Sequence, residues 1–228
     1  MMGSAIEMVK SMITNSDNLI KSVGKLVDDI IFMLDLDEFT FGSLSSLKDL
    51  DSYTWSHSIN VCLLSLALAK KHPMIRDEDY HCIGVGALLH DVGKLFVPLK
   101  VLNKPGKLTK DEFDHIKSHT TMGYMLLSGR TALSKKSLNI LRHHHERIDG
   151  NGYPHGLNND EILPTTRIVG IVDVYDAITT DRVYKKAKTP YEALDIIYND
   201  VVKKSFSEVD FECLRELIEP VMEKKKAC

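Results

Sequence analysis

The chain has 228 residues, of which 43% are hydrophobic and 27% are charged. This length and composition fit one good-sized domain, or a small domain with an appendage, and they exclude a disordered, fibrous or collagen-like protein. The 29 lysines and arginines against 32 acidic residues, with a single tryptophan, give no sign of a protein that binds a nucleic-acid polymer. The distinctive number is ten histidines, which cluster along the chain.

The N-terminus and the cysteines predict the compartment. Residues 1–13 lack the basic and apolar regions of a signal peptide, and no run approaches the roughly 18 apolar residues of a membrane span. The four cysteines have no CxxC spacing, and Cys62 and Cys82 lie within apolar helical patterns. Reduced core cysteines are typical of an intracellular protein, so we expect a cytoplasmic location and no membrane contact.

The first predicted helix has an unusually regular apolar repeat. Its apolar positions run from Ile6 to Leu34 at alternating spacings of three and four residues, with Ser16 as one polar place. Over about four heptads this pattern is typical both of an amphipathic helix and of a coiled-coil seam. Two interpretations stay open: a helix packed on its own domain, or a homodimer through residues 6–34. The polar stretch Asn15–Asp17 also predicts a break near residue 15.

From residue 51 onward the apolar periodicity predicts further helices at 55–71, 76–94, 109–119, 137–145, 189–198 and 211–224. Thr109 with Glu112, and Thr189 with Glu192, have the spacing of capping boxes that begin two of these helices. Residues 98–107 and the glycine-rich segment 149–164 are expected to be irregular. The sequence therefore predicts an all-α fold.

Several ionisable residues occur where an apolar helix should be buried. His90 and Asp91 adjoin at the end of an apolar run, and such a pair is costly to bury unless a metal ion or another partner neutralises it. His144 and His145 repeat the adjacent donors, and Asp173 lies within the apolar run 168–174. Imidazole and carboxylate ligands without thiolate suit iron, manganese, zinc or nickel. The spacing predicts a metal site without naming its reaction.

The sequence motifs around these residues are more specific than the spacing of the ligands. HDVGK at 90–94, HHERIDGNGYP at 144–154, RIVGIVDVYDA at 167–177 and DRVYKK at 181–186 stand in the order typical of one family. The chain resembles the HD-GYP branch of the HD phosphohydrolase superfamily from about residue 53 to at least residue 193. The resemblance implies an HD-domain-like helical bundle at residues 51–228, preceded by an N-terminal helical extension at residues 1–50.

The resemblance also implies two divalent metal ions, iron or manganese above all, with zinc, nickel or cobalt as alternatives. The residues that match the family's metal ligands are His57, His90, Asp91, His119, His144, His145 and Asp173. Asp91 is expected to bridge the two ions. Some members carry a third metal on a glutamate four residues before the first histidine, where this chain has Tyr53.

The other histidines are expected to have no role as ligands. His143 precedes the matched pair and is interpreted as a neighbour of the site. The remaining four are interpreted as incidental: His72, His81, His115 and His155.

Three cations and one carboxylate complete the implied catalytic machinery. Lys94 matches the lysine of the family's HDxGK motif, and Arg182 and Lys185 fall where members contact substrate phosphate. A hydroxide bridging two ions about 3.5–4 Å apart would attack a phosphodiester, with Asp91 holding the ions and Lys94 assisting the leaving alkoxide.

The implied function is a phosphodiesterase that opens cyclic di-GMP to pGpG, and onward to GMP. Three alternatives stay open. The substrate could be another cyclic dinucleotide such as 3′,3′-cyclic GMP-AMP, or the chain could be a nucleotide phosphohydrolase. The third is a sensor or partner-binding module of weak activity, whose Gly-Tyr-Pro loop at 152–154 contacts a diguanylate cyclase (GGDEF) domain.

Overall fold

The computed structural model describes residues 2–35, 53–129, 132–181, 186–202 and 205–226. Within these ranges the fold is all-α, as predicted, with no strand and one isolated bridge between Asp149 and Asn158. The helices, in chain order, are α1 Met2–Asp35, α2 Tyr53–Lys71, α3 Asp77–Leu89, α4 Leu99–Leu102, α5 Lys110–Lys117, α6 His119–Leu127, α7 Lys135–His143, α8 Pro164–Thr179, α9 Pro190–Ile196 and α10 Glu208–Lys226. None of these helices has both the length and the apolar character needed to cross a membrane.

Helix α8 is the centre of the bundle. It packs against α2, α3, α7, α9 and α10. Its residues Ile168, Val169, Ile171 and Val172 are all 0% exposed, so the helix is covered on every side. A helix that is apolar all round is stable only when buried in this way. The charged residues within α8 therefore need specific partners.

The second half of the predicted α1 seam faces the chain's own core. Ile20, Val23, Val27 and Ile30 are buried in the same apolar cluster as α2 and α3. For these positions the structure supports the interpretation of a helix packed on its own domain. The seam positions up to Ser16 lie outside the side chains that the structure describes, and the homodimer stays a prediction. The expected break near residue 15 is wrong, because α1 is continuous.

Two predicted boundaries are also wrong. The helix expected at 76–94 ends at Leu89, and a tighter 3₁₀ turn follows at Val92–Phe96. At Gly93 a Cβ atom would lie only 1.9 Å from the backbone oxygen of His119, so the chain bends to let this backbone touch α6. The segment 98–107, expected to be irregular, contains the short helix α4.

The predicted capping boxes are present at both helices. Thr109 Oγ1 accepts the Glu112 N–H at 3.2 Å, and Glu112 Oε2 accepts the Thr109 N–H at 2.7 Å. Thr189 and Glu192 make the same pair of bonds before α9. These bonds satisfy backbone donors that a helix start leaves without partners.

A buried ion pair ties three helices together. Asp210 of α10 is 0% exposed, and its Oδ2 accepts a hydrogen bond from Arg167 Nε of α8 at 3.0 Å. Its Oδ1 lies 3.0 Å from Nε2 of His72, which follows the end of α2. His72 Nδ1 accepts the Met74 N–H, so Nε2 holds the proton and donates to Asp210. His72, expected to be incidental, therefore has a structural role.

Asp210→Ala is expected to lower the free energy of unfolding by about 3–5 kcal/mol, because it leaves the Arg167 guanidinium buried without its partner. Chemical denaturation monitored by circular dichroism measures this loss. The control is Glu216→Ala on the exposed face of the same helix, which should change the free energy by no more than about 0.5 kcal/mol. Equal losses in the two variants would contradict the role of the network.

Candidate metal centre

The fold brings all seven predicted ligands into one cluster. His57 comes from α2, His119 begins α6, and Asp173 comes from α8. The other four follow directly after helices: His90 and Asp91 after α3, and His144 and His145 after α7. All except His145 are no more than 8% exposed. The cluster therefore lies at the point where five helices of the bundle meet.

Asp91 stands between two groups of imidazoles. Its Oδ2 lies 3.6 Å from His57 Nε2 and 3.4 Å from His90 Nε2. Its Oδ1 lies 3.4 Å from His119 Nε2. Each carboxylate oxygen thus faces a different part of the cluster, which is the arrangement that the expected bridging role requires.

Asp173 closes the other side of the cluster. Its Oδ1 lies 3.2 Å from His57 Nε2, and its Oδ2 lies 3.8 Å from His145 Nδ1. His119, His144 and His145 each offer one nitrogen within 4.8 Å of the others, and so could hold an ion together.

Backbone carbonyls set the tautomer of three of the histidines. Each donates its Nδ1–H to the backbone oxygen three residues earlier: His90 to Ala87 at 2.6 Å, His119 to Ile116 at 2.6 Å and His144 to Leu141 at 3.1 Å. A carbonyl oxygen can only accept, so the proton is on Nδ1 and each Nε2 turns its lone pair to the centre.

His57 is oriented by a side chain instead. Its Nδ1 donates to Asp176 Oδ2 at 2.7 Å, and Asn60 Nδ2 donates to Asp176 Oδ1 at 3.1 Å. Carboxylates of this kind fix the ring of a metal-ligating histidine. No role was predicted for Asp176 from the sequence. The signal was present, because Asp173 and Asp176 are almost one turn apart in the mostly apolar stretch 168–178.

The unsatisfied atoms at the centre fit a cation. The buried His90 Nε2 and Asp91 Oδ1 have no hydrogen-bond partner within the described ranges. With the proton on Nδ1, the 3.4 Å contact between His119 Nε2 and Asp91 Oδ1 sets one lone pair against another. The 3.4 Å contact between the Nε2 atoms of His119 and His144 does the same. Such contacts are unfavourable without a positive charge between them, and imidazole and carboxylate donors suit a divalent transition metal.

The histidines of the cluster differ in their protonation states. Burial lowers the pKa of His57, but its hydrogen bonds to Asp173 and Asp176 outweigh this effect and raise the pKa to about 9. Burial lowers the pKa of His145 to about 3 and holds the pKa of His144 well below its usual range. At neutral pH the metal-free cluster therefore keeps a proton on His57, while His144 and His145 are neutral.

The glycine-rich loop at 149–164 lies over the edge of the cluster. Its Tyr153 ring lies 4.7 Å from the His145 ring, centroid to centroid. A Cβ at Gly152 would lie 2.4 Å from Glu146 Cα, so only glycine allows the loop to approach so closely. The expected irregular segment is thus confirmed up to Leu163, apart from a 3₁₀ turn at Asn159–Glu161, and its last residue, Pro164, begins α8.

Glu146 anchors this loop. Its carboxylate is buried and accepts the His155 N–H at 2.7 Å and the Leu157 N–H at 3.0 Å. No role was predicted for Glu146 from the sequence, because its spacing from His155 and Leu157 gives no sign that the loop folds back onto it.

Lys94 lies at the open side of the centre. Its Nζ pairs with Asp91 Oδ2, and its side chain is 35% exposed. Arg182 and Lys185 lie outside the described residues, as does the side chain of Tyr53. Their expected roles stay predictions.

A family comparison agrees with this architecture. The family model described as HD domain matches residues 47–204, so the chain belongs to the HD domain family. A cyclic di-GMP phosphodiesterase of Pseudomonas aeruginosa is 44% identical over 156 residues, which are 67% of this chain and 36% of that relative. A 3′3′-cGAMP-specific phosphodiesterase of Vibrio cholerae is 34% identical over 177 residues, 78% of this chain and 37% of that relative. The motif-based recognition of the HD-GYP branch is confirmed.

The chain spans little more than a third of the length of these two relatives. Among solved structures, an HDGYP protein from Bdellovibrio bacteriovorus superposes with a TM-score of 0.73 at 22% identity, covering 92% of this chain and 68% of that chain. At this identity the likeness supports the fold, which is the predicted HD-domain-like helical bundle.

Asp176→Asn is expected to weaken metal binding about 10–100-fold, because asparagine keeps the shape of the side chain but loses the charge that orients His57. Calorimetric titration with Mn²⁺ measures the affinity. Asp160→Asn, on an exposed turn, is the matched control and should bind as the unaltered protein does. An unchanged affinity in Asp176→Asn would exclude the orienting role.

Metal binding at pH 7 is expected to release about one proton from His57, since its pKa of about 9 keeps it protonated in the metal-free protein. The release should fall, and the metal affinity should rise, as the pH increases towards 9. Titrations in buffers of different ionisation enthalpy count the protons. Asp176→Asn removes a group that raises the pKa of His57, so it should release fewer protons at pH 8. Equal release by both proteins at every pH would contradict this assignment.

Proposed function

We propose that this chain is a metal-dependent phosphodiesterase that hydrolyses cyclic di-GMP to linear pGpG, and further to GMP. One observation carries the proposal: five histidines and two aspartates converge on one centre, where the Nε2 lone pairs of His119 and His144 face each other and that of His119 faces Asp91. The names of the HD-domain relatives, which act on cyclic dinucleotides, support this substrate class.

The proposed cofactor is a pair of divalent ions, iron or manganese above all. His57, His90, Asp91 and Asp173 would hold one ion. His119, His144 and His145 would hold the other, and the two oxygens of Asp91 face both groups. Such ions activate water as a nucleophile near neutral pH and offset negative charge on phosphate oxygens.

The chain's own residues would bind and position the diester. The Lys94 ammonium lies beside Asp91, and its side chain is partly exposed, so it could also reach a bound phosphate. Its charge would offset the negative charge that develops on the leaving alkoxide. Arg182 and Lys185 are proposed as further phosphate contacts, and the Tyr153 ring forms one wall of the entrance beside His145.

A second candidate substrate is 3′,3′-cyclic GMP-AMP. The observation that favours it is the relative specific for that nucleotide, whose match covers 78% of this chain. Both substrates present the same phosphodiester to the centre, so the metal ligands do not distinguish them. The choice depends on residues that contact the bases.

The proposal includes location and partners. The described cysteines Cys62, Cys82 and Cys213 are free and buried, which supports a location in the reducing cytoplasm. The loop at 152–154 is the proposed contact for a diguanylate cyclase domain. A homodimer through residues 6–34 is also proposed, although the seam positions Ile20, Val23, Val27 and Ile30 face the chain's own core.

The decisive experiment compares His90→Ala and Asp91→Ala with His115→Ala, which removes an exposed histidine that is not among the seven proposed ligands. Each protein is purified without air, its metal content is measured, and it is incubated with cyclic di-GMP, cyclic GMP-AMP and a generic phosphodiester. We expect the two centre variants to lose bound metal and at least about 100-fold in turnover. His115→Ala should match the unaltered chain.

Unchanged metal content and turnover in His90→Ala and Asp91→Ala would overturn the assignment of the centre. Full metal content without turnover of any cyclic dinucleotide would instead favour the sensor interpretation. The ratio of rates on the two cyclic dinucleotides decides between the two substrates.

A further inference from the structure

Two histidines that have no place in the centre face each other on its outer side. His143 is the last residue of α7, and His155 lies in the loop directly after Pro154. His143 Nε2 lies 3.0 Å from His155 Nδ1, with the ring centroids 5.1 Å apart. His155 is exposed, so this pair is open to ions from solution.

A buried carboxylate lies beside the pair. Glu146 is 4% exposed, and one of its oxygens lies within 4.8 Å of a nitrogen of each histidine. Its two oxygens each accept one backbone N–H, from His155 and from Leu157. An ionised carboxylate has about four lone-pair sites, so it can still offer one to a cation.

The geometry of the two nitrogens fits a shared ion. A zinc ion binds imidazole nitrogens at about 2.0–2.1 Å, which places two nitrogens of a tetrahedral site about 3.3 Å apart. A small rotation of the exposed His155 ring would therefore fit the pair to one ion. The other nitrogen of His143, Nδ1, is buried and has no hydrogen-bond partner within the described ranges. Nε2 is therefore the nitrogen of this ring that reaches an external ion.

We propose that His143, Glu146 and His155 form an outer metal site, separate from the seven-residue centre, which binds one late first-row divalent ion such as Zn²⁺. Two imidazoles and a carboxylate are ligands that this class of ion prefers over Mg²⁺ or Ca²⁺. This inference goes beyond the proposed function, because the outer site shares no ligand with the centre.

An ion at the outer site would join the loop to the end of α7. His155 is two residues after Tyr153, whose ring lies against His145, and His143 directly precedes His144. The ion would thus fix the backbone next to Tyr153 on the loop and the backbone next to His144 in the centre. The outer site would restrain the loop over the entrance without contacting the reacting phosphate.

Equilibrium dialysis of the full chain against Zn²⁺, followed by elemental analysis, tests the outer site. His155→Asn removes the exposed ligand and keeps the backbone N–H that Glu146 accepts. We expect the unaltered chain to bind one more Zn²⁺ per chain than His155→Asn does. His115→Asn removes an exposed histidine elsewhere and should bind as many ions as the unaltered chain.

A second measurement follows the loop itself. Zn²⁺ should slow proteolytic cleavage within residues 149–164 at least about 10-fold in the unaltered chain and in His115→Asn, but not in His155→Asn, because only the first two can hold the ion. Equal Zn²⁺ content and equal protection in all three proteins would overturn the outer site.

The centre is tested separately. His90→Ala should keep the Zn²⁺ equivalent that His155→Asn loses, since it leaves the outer ligands intact. If no cyclic dinucleotide is hydrolysed but His90→Ala still binds this Zn²⁺ ion, the outer site is supported and the phosphodiesterase proposal is not. Loss of the equivalent in His90→Ala, with its retention in His155→Asn, would assign the ion to the centre and overturn the outer site.

Discussion

The structure depends on the burial of two carboxylates, Asp91 and Asp173, among five imidazoles inside an apolar bundle. Burial opposes the charged form of a carboxylate, yet His90 and the Lys94 ammonium hold the pKa of Asp91 well below the usual range, and the hydrogen bond from His57 does the same for the pKa of Asp173. The high pKa of His57 keeps it protonated beside Asp173, while burial keeps His144 and His145 neutral. Lone pairs of His119, His144 and Asp91 face one another, and a bound cation would relieve that repulsion.

The backbone prepares this arrangement. Helices α3 and α7 both end just before their ligand pairs, so adjacent residues leave the helix and reach different sides of the cluster. Carbonyl oxygens in the last turns of α3, α5 and α7 accept the Nδ1–H of His90, His119 and His144. These hydrogen bonds set the tautomer that metal binding requires.

Two buried carboxylates that are not among the seven proposed ligands of the centre fix the positions of groups around it. Asp176 orients His57 from within α8, and Glu146 holds the loop that carries Tyr153 beside His145. Neither role was predicted, because Asp176 is 119 residues from His57, and the backbone N–H groups that Glu146 accepts become available only through the path of the loop. Spacing identifies which residue types occur together, whereas a hydrogen bond over such a separation exists only once the helices have packed.

The sequence by itself determined the all-α class, the two capping boxes and the residues that could bind metal, because these follow from periodicity and from local motifs. Only the tertiary structure decided that α3 stops at Leu89, that the middle of α1 packs on its own domain and that His72 serves Asp210. It also separated His143 and His155 from the centre and placed them against each other. These outcomes depend on close contact between distant segments, such as Gly93 against α6, and no local pattern specifies which surfaces will meet.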